Sequence, residues 1–482
     1  MKKIMGLVVI IAALVLGGYY GTGLVTERTL KRNINSINDT SGLYVEIKTY
    51  DRGWFTSTAA FNVLLQVPER IIKKDGQSVT VPAQNYNLDI PMTIYHGPMM
   101  FTRHGLHFGL GYASSQVSMP QPFASQFESM FTSNSTKPQL DIRVLVNYFN
   151  KTKLMFQVPQ FKLFEKEGGG QFSWLGMSNN VTISSSMDSI GGDLSIEGMT
   201  IEKDQVQAVV GSILSGFDLH RTKEGLFLGQ AHMALPSITV KRQQSAVFEL
   251  QDFKAQSSSS ISSGLFCSTV DLSLEKVMFE QKTYGPGVLS VSVKNLDGEA
   301  LAEINQLANK MQHEPALDRQ QAAFQMLPQL PKLFSKGAEF QISKASLVVP
   351  EGTIEGHLLI SLPKGEMGNP FQIIQKLQGD GEIKMPAVVV EKLMKHSLEQ
   401  AMTGSDHNAG ANVAEPAMDV NEQPVVTTSQ NVESTQVDEK VRSLVNAGLL
   451  KKESNNFVIQ VKLTDGQLTV NGQPFNPNML KF

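Results

Sequence analysis

Cysteine is almost missing from this chain: Cys267 is the only one in 482 residues. No intramolecular disulfide can form, and no cysteine-based zinc or iron–sulfur site can form either. An excess of charge is missing too. Forty-two Lys and Arg face 45 Asp and Glu, for a net charge of -3. That balance lacks the basic footprint of a nucleic-acid-binding chain, so no nucleic-acid partner is expected. The sequence contains no phosphate-binding GxxxxGK[ST] loop, no HExxH and no acidic calcium loop. Gly211–Gly216 has the wrong spacing for a GxSxG nucleophile elbow. We therefore expect no catalytic residue, no cofactor, no metal and no enzyme. What the chain does have is 41% apolar residues. That is enough to build substantial cores and excludes wholesale disorder. Its length points to several domains or one elongated fold.

One long uncharged run is present. Met1–Lys3 lead into Ile4–Val25, about as long as the ~20 residues that cross a hydrocarbon layer. The densest part, Ile4–Leu16, has the length of a signal-peptide core, so a cleaved signal and an uncleaved anchor compete. The core runs into Gly17, Gly18, Tyr19 and Tyr20 without an A-x-A-like cleavage pattern, which favours the anchor. Tyr19 and Tyr20 suit the far interface as aromatic anchors. Lys2 and Lys3 on one side nearly balance Arg28, Lys31 and Arg32 on the other. The short N-terminal tail then decides the orientation and puts the bulk of the chain outside the cytoplasm.

From Tyr44 onward the dominant period is two. Leu43, Val45 and Ile47 alternate with polar residues, as do Leu140–Tyr148, Val270–Leu274, Leu289–Val293 and Phe457–Leu463. One apolar face per strand predicts antiparallel sheet with a wet side. Asp465-Gly466 and Asn471-Gly472 between alternating runs are hairpin signals, because such turns need positive φ. Ser257–Ser260 with Ser262-Ser263 form a polar stretch that reads as a loop at a hairpin tip. Helical spacing appears late, at Leu301–Met311, Phe324–Phe334, Pro370–Leu377 and Pro386–Met402. A last helix starts with Thr435 as its cap, carries Val437, Val441, Leu444 and Val445, and ends at Gly448. The fold class is therefore α+β and mostly antiparallel β: long curved amphipathic sheets, a few C-terminal helices and one N-terminal membrane helix. The segments are an anchor over 1–25, a β-rich region over 26–298 and a mixed region over 299–402. An acidic flexible linker over 403–433 and a helix plus hairpin over 434–482 complete them.

Two short stretches stand out. Asp51-Arg52-Gly53-Trp54 inside an apolar-periodic segment reads as a bulge that Gly53 permits, with Arg52 paired to a carboxylate on a neighbouring strand and Trp54 or Phe55 packed below. His96-Gly97-Pro98 reads as a turn closing a strand. Both are taken as structural devices, with a binding lip as the functional alternative for the first. His96, His104 and His107 number enough for zinc. Residues 104 and 107 would face opposite sides of a strand, however, and no carboxylate lies nearby to orient them. They are read as surface or turn histidines.

Tyr50–Ser57, Ile94–Pro98 and the terminal Asp465–Gly472, in that order behind the anchor, resemble the YdgA-like family of bacterial proteins. The resemblance covers the whole chain. It implies a Gram-negative inner-membrane protein with a large periplasmic part and no assigned catalytic residues. By analogy of fold style alone, the long hairpins are similar to those of AsmA-like envelope proteins, which hold lipid in an apolar sheet groove. The expected partners are the bilayer, through residues 4–25, and an apolar, lipid-like ligand on a sheet groove. The alternatives are a homo-oligomeric structural protein without a small ligand and, behind it, an unrecognised hydrolase whose catalytic groups come from distant positions.

Overall fold

The computed structural model describes residues 44–67, 70–74, 77–82, 84–119, 121–313, 326–365, 370–404, 429–464 and 466–475, together with Tyr19, Gly21, Glu27 and Arg28. Of the expected membrane segment only Tyr19 and Gly21 are among these residues, and most of the acidic linker lies outside them. Among the described residues no helix is long and apolar enough to cross a membrane. The chain divides into two compact units, 1–260 with 302–326, and 261–301 with 327–482.

The first unit is an antiparallel meander. Its strands are β1 (Tyr44–Arg52), β2 (Thr56–Val67), β3 (Arg70–Lys74), β4 (Gln77–Val81), β5 (Gln84–His96), β6 (Met99–Thr102), β7 (Gly105–Phe108) and β8 (Gly111–Ser118). After helix α1 (Gln121–Met130) come β9 (Gln139–Val146), β10 (Thr152–Val158), β11 (Phe161–Phe164), β12 (Gln171–Ile183), β13 (Ser189–Lys203) and β14 (Val206–Val210). The last three are β15 (Ile213–Arg221), β16 (Phe227–Arg242) and β17 (Ser245–Ser262). Each long strand hydrogen-bonds the next in the order β1-β2-β5-β8-β9-β10-β12-β13-β15-β16-β17. Where the backbone breaks at Pro159, two short strands, β10 and β11, share β12 as partner. Proline cannot donate to a ladder, so the break falls there. Apolar residues at alternate positions meet across the ladder: Ala59, Phe61, Ile94 and Ala113 form a buried cluster joined by Val45, Ile47 and Val144.

Of that polar stretch only Ser263 lies in a turn, just after β17, with φ 52°; Ser257–Ser260 is not a tip. These residues continue β17 and pair with β16, Ser257 opposite Ala231 and Ser258 opposite Gln230. Serine's small side chain carries no period-two contrast, although the backbone there is extended and alternates in exposure.

The second unit is another antiparallel array carrying helices. It contains β18 (Leu265–Leu274), β19 (Lys276–Phe279), β20 (Lys282–Tyr284) and β21 (Gly287–Asp297). Helix α2 (Gly298–His313) begins here, with Asp297 Oδ1 accepting from the Ala300 amide at 3.0 Å. Helix α3 (Gln329–Phe334), β22 (Glu339–Val349), β23 (Gly352–Ser361), helix α4 (Pro370–Lys376), β24 (Gln378–Pro386), helix α5 (Ala387–Gly404) and helix α6 (Ser429–Asn446) follow. Strands β25 (Lys451–Glu453), β26 (Asn456–Thr464), β27 (Gln467–Val470) and β28 (Gln473–Pro474) close the unit. Pairing runs β18-β21-β22-β23-β24-β26-β27-β28.

The expected hairpin at Asn471-Gly472 is present: both residues have positive φ, 49° and 79°, and Val470 pairs with Gln473. Helix α6 starts at Ser429, earlier than the expected Thr435 cap, and ends where Gly448 turns left-handed at φ 72°. That conformation lets the Leu449 amide reach back to the Leu444 carbonyl at 2.9 Å. Val437, Val441 and Leu444, one helical turn apart, pack with Ala387 and Val390 of α5 and with Phe457 and Val470 of the sheet. Gly379, which the sequence suggests as the stop of the Pro370 helix, lies instead in β24 opposite Leu463.

Candidate functional site

The two stretches singled out in the sequence meet at one end of the first unit's sheet. Register carries this end from strand to strand: Arg52 pairs with Ser57, Thr56 with Tyr95, His96 with Gly111, Gly111 with Val146, and Val146 with Thr152. Gly53 sits in the turn between β1 and β2, its amide bonded to the Thr56 carbonyl at 3.0 Å. The register irregularity of that hairpin lies further back, between Ile47 and Thr49. Arg52 meets Glu27, Nη1 to Oε2 at 3.3 Å, so its carboxylate is Glu27 near the N-terminus and not one on a neighbouring strand. The His96 amide donates to the Phe55 carbonyl at 3.1 Å.

His96 and Ser57 form a buried pair, Nε2 to Oγ at 3.0 Å, each only 1% exposed. Burial holds the imidazole below its ordinary range. The Tyr19 backbone beside it pulls the other way, and the Arg52 charge lowers it further. A serine beside a histidine resembles the start of a nucleophilic site. Here both partners are sealed from solvent, so the contact satisfies buried polar groups and pins β2 to β5.

Tyr19 and Glu27 reach this end. Tyr19 donates its hydroxyl to the Met99 carbonyl at 2.5 Å and stands edge-on to Phe55, with ring centres 4.9 Å apart. Gly97 leaves the space that the Tyr19 ring fills. Pro98 offers its carbonyl to the Tyr148 hydroxyl. Trp54 faces solvent, 57% exposed. Together these contacts clasp the residues that follow the apolar run.

The three histidines do not converge. His96 turns inward to Ser57, whereas His104 and His107 both approach Tyr112. The Tyr112 hydroxyl lies 3.1 Å from His104 Nδ1, and His107 stacks on the same ring at 4.2 Å. The reading of 104 and 107 on opposite faces fails because His104 lies in the β6–β7 turn, not in a strand. Burial, then the neighbouring His104 and Arg143, hold His107 below its ordinary range. Burial pushes Tyr112 upward. Among the described residues no group of His, Cys, Asp or Glu is arranged to hold a metal.

The second unit contains an apolar cavity of about 380 Å³ under α5 and α6. Met385, Leu393, Met394, Leu444, Phe457 and Ile459 are among its walls, and Ser397 is the one polar side chain among the described residues of the lining. Leu393 at its mouth is 60% exposed.

A family of bacterial proteins of unknown function, DUF945, matches residues 1–478. The chain belongs to the DUF945 family. No curated protein matches it. The family match spans both units, the clasp and the cavity of this DUF945 protein. The sequence singled out Arg52, Gly53, Trp54, His96, Gly97 and Pro98, and the structure brings all six to one end. It gave no signal for Tyr19, Glu27 or Ser57 as their partners. The cavity was missed as well, since its walls come from segments distant in sequence.

Proposed function

We propose that the protein is a membrane-anchored, non-enzymatic envelope protein whose C-terminal unit holds an apolar ligand of the acyl-chain type. In this reading the uncharged run within residues 4–25 anchors the chain in the bacterial inner membrane, with Tyr19 at the far interface, and the body lies in the periplasm. The finer kinship is with YdgA-like proteins.

The observation that carries the reading is the cavity between α5, α6, β24 and β26. Its volume falls within the ~300–1,000 Å³ of small-molecule sites. Its lining is almost wholly apolar, with no charged side chain among the described residues to fix a polar headgroup inside. A hydrocarbon chain suits such walls, each buried methylene contributing about 0.8 kcal/mol. Ser397 supplies one hydroxyl for a carbonyl or ester oxygen. The sequence placed this ligand on a sheet groove; the reading now places it between helices and sheet.

A fluorescent fatty acid titrated onto the full chain in mild detergent tests this. Saturable binding is expected, lost in Leu393→Asp. Because Leu393 is exposed, that variant keeps the wild-type circular dichroism. Absent binding, or equal binding by the variant, contradicts the reading.

A further inference from the structure

Large apolar side chains crowd the clasped end of the first unit. The β6–β7 hairpin pairs Met99 with Phe108 and Phe101 with Leu106. Those four alternate with Met100 and His107, so they share one face. Met100 on the other face is buried, whereas Phe101 is 72% exposed and Met99, Leu106 and Phe108 are also exposed. Trp54 and Phe55 stand in the neighbouring β1–β2 turn. Tyr148 and Phe149 stand in the β9–β10 turn, and Phe149 is 84% exposed. Scattered exposed apolar residues need no explanation, but eight on three adjoining turns do.

The N-terminal segment says what covers them. Tyr19 bonds the Met99 carbonyl of that hairpin, and Tyr19 lies three residues beyond Leu16, the end of the dense apolar run. Three residues reach at most about 10 Å. The interfacial layer on each side of a bilayer core is about 5–8 Å deep. The hairpin is therefore tied within reach of the headgroups wherever the apolar run ends its crossing. Aromatic rings favour that layer, and Arg103 at the hairpin tip and Lys151 beside Phe149 are exposed cations suited to phosphates.

We propose that the β6–β7 hairpin, with Trp54 and Phe149, is a membrane-interface face that seats the first unit on the surface of an anionic bilayer. The inference rests on residues 4–25 being an anchor. The sheet then stands with its opposite end, at the β13–β14 turn, pointing away from the lipid.

The test uses the full chain reconstituted in vesicles of phosphatidylethanolamine and phosphatidylglycerol. In a Cys267→Ser background, an environment-sensitive dye is attached at Phe101→Cys, Phe149→Cys or, at the opposite end, Asp204→Cys. All three positions are exposed, so folding is preserved. Dyes at 101 and 149 are expected to shift to the blue and to be quenched by lipid spin-labelled near the headgroup, while the dye at 204 stays aqueous. An aqueous signal at 101 or 149 in a chain that resists carbonate extraction overturns the seating and leaves the anchor standing. A chain that carbonate removes overturns the anchor, and the seating with it.

Discussion

A Cβ built on Gly97 would stand 2.0 Å from Cε1 of the Tyr19 ring. The absence of a side chain at this one position lets the Tyr19 ring lie against the end of β5. Gly97 also has φ 122°, a conformation that a side chain resists.

Gly97→Ala is thus expected to release Tyr19. Backbone strain alone costs on the order of 1–3 kcal/mol, and the ring must move as well. Hydrogen exchange of the peptide containing Tyr19 should speed up in Gly97→Ala and in Tyr19→Ala. The double variant should be no faster than either single, because both break the same contact. Additive effects would mean that Gly97 and Tyr19 act apart.

The Arg52–Glu27 pair should matter less than its place in the clasp suggests. Its side chains are 29% and 22% exposed at a separation of 3.3 Å. Solvent-screened pairs contribute about 0.2–1 kcal/mol. A double-mutant cycle with Arg52→Ala and Glu27→Ala is expected to return a coupling in that range, reduced by salt. A coupling several times larger would make the pair the main fastening in place of Tyr19.

Acid should loosen the first unit. Burial holds His96 and His107 below the ordinary imidazole range. As pH falls through about 6.5 the unfolded chain protonates these residues while the folded chain resists. The unfolded state then binds more protons, so the stability these groups contribute is full above that pH and declines below it toward the folded values. Melting of the full chain from about pH 8 to about pH 5 should show this decline. His96→Gln with His107→Gln should flatten it, and an unchanged slope would count against the buried-neutral assignment. Ser57→Ala should cost about 1–3 kcal/mol at neutral pH by stranding the ring nitrogen.

The strands were legible because period two survives in single residues such as Leu140, Ile142 and Val144. The final hairpin was legible because Asn471-Gly472 encodes positive φ directly. Ser257–Ser260 was not, since a serine run has no apolar contrast and β16 imposes its conformation. Of the clasp, half could be read: Arg52–Trp54 and His96–Pro98 are odd within their strands. What they touch could not, because contact between Tyr19 and Gly97 spans 78 positions and leaves no local mark. The cavity was hidden for the same reason, with walls running from Met385 to Phe475.

Native mass spectrometry of the full-length protein released from membranes tests the central claim most directly, since one spectrum reports both anchor and ligand. The account predicts the mass of the complete 52.9 kDa chain, leader included, plus an acyl-lipid adduct that disappears in Leu393→Asp. A mass short of the leader, or a bare chain without adduct, would contradict it.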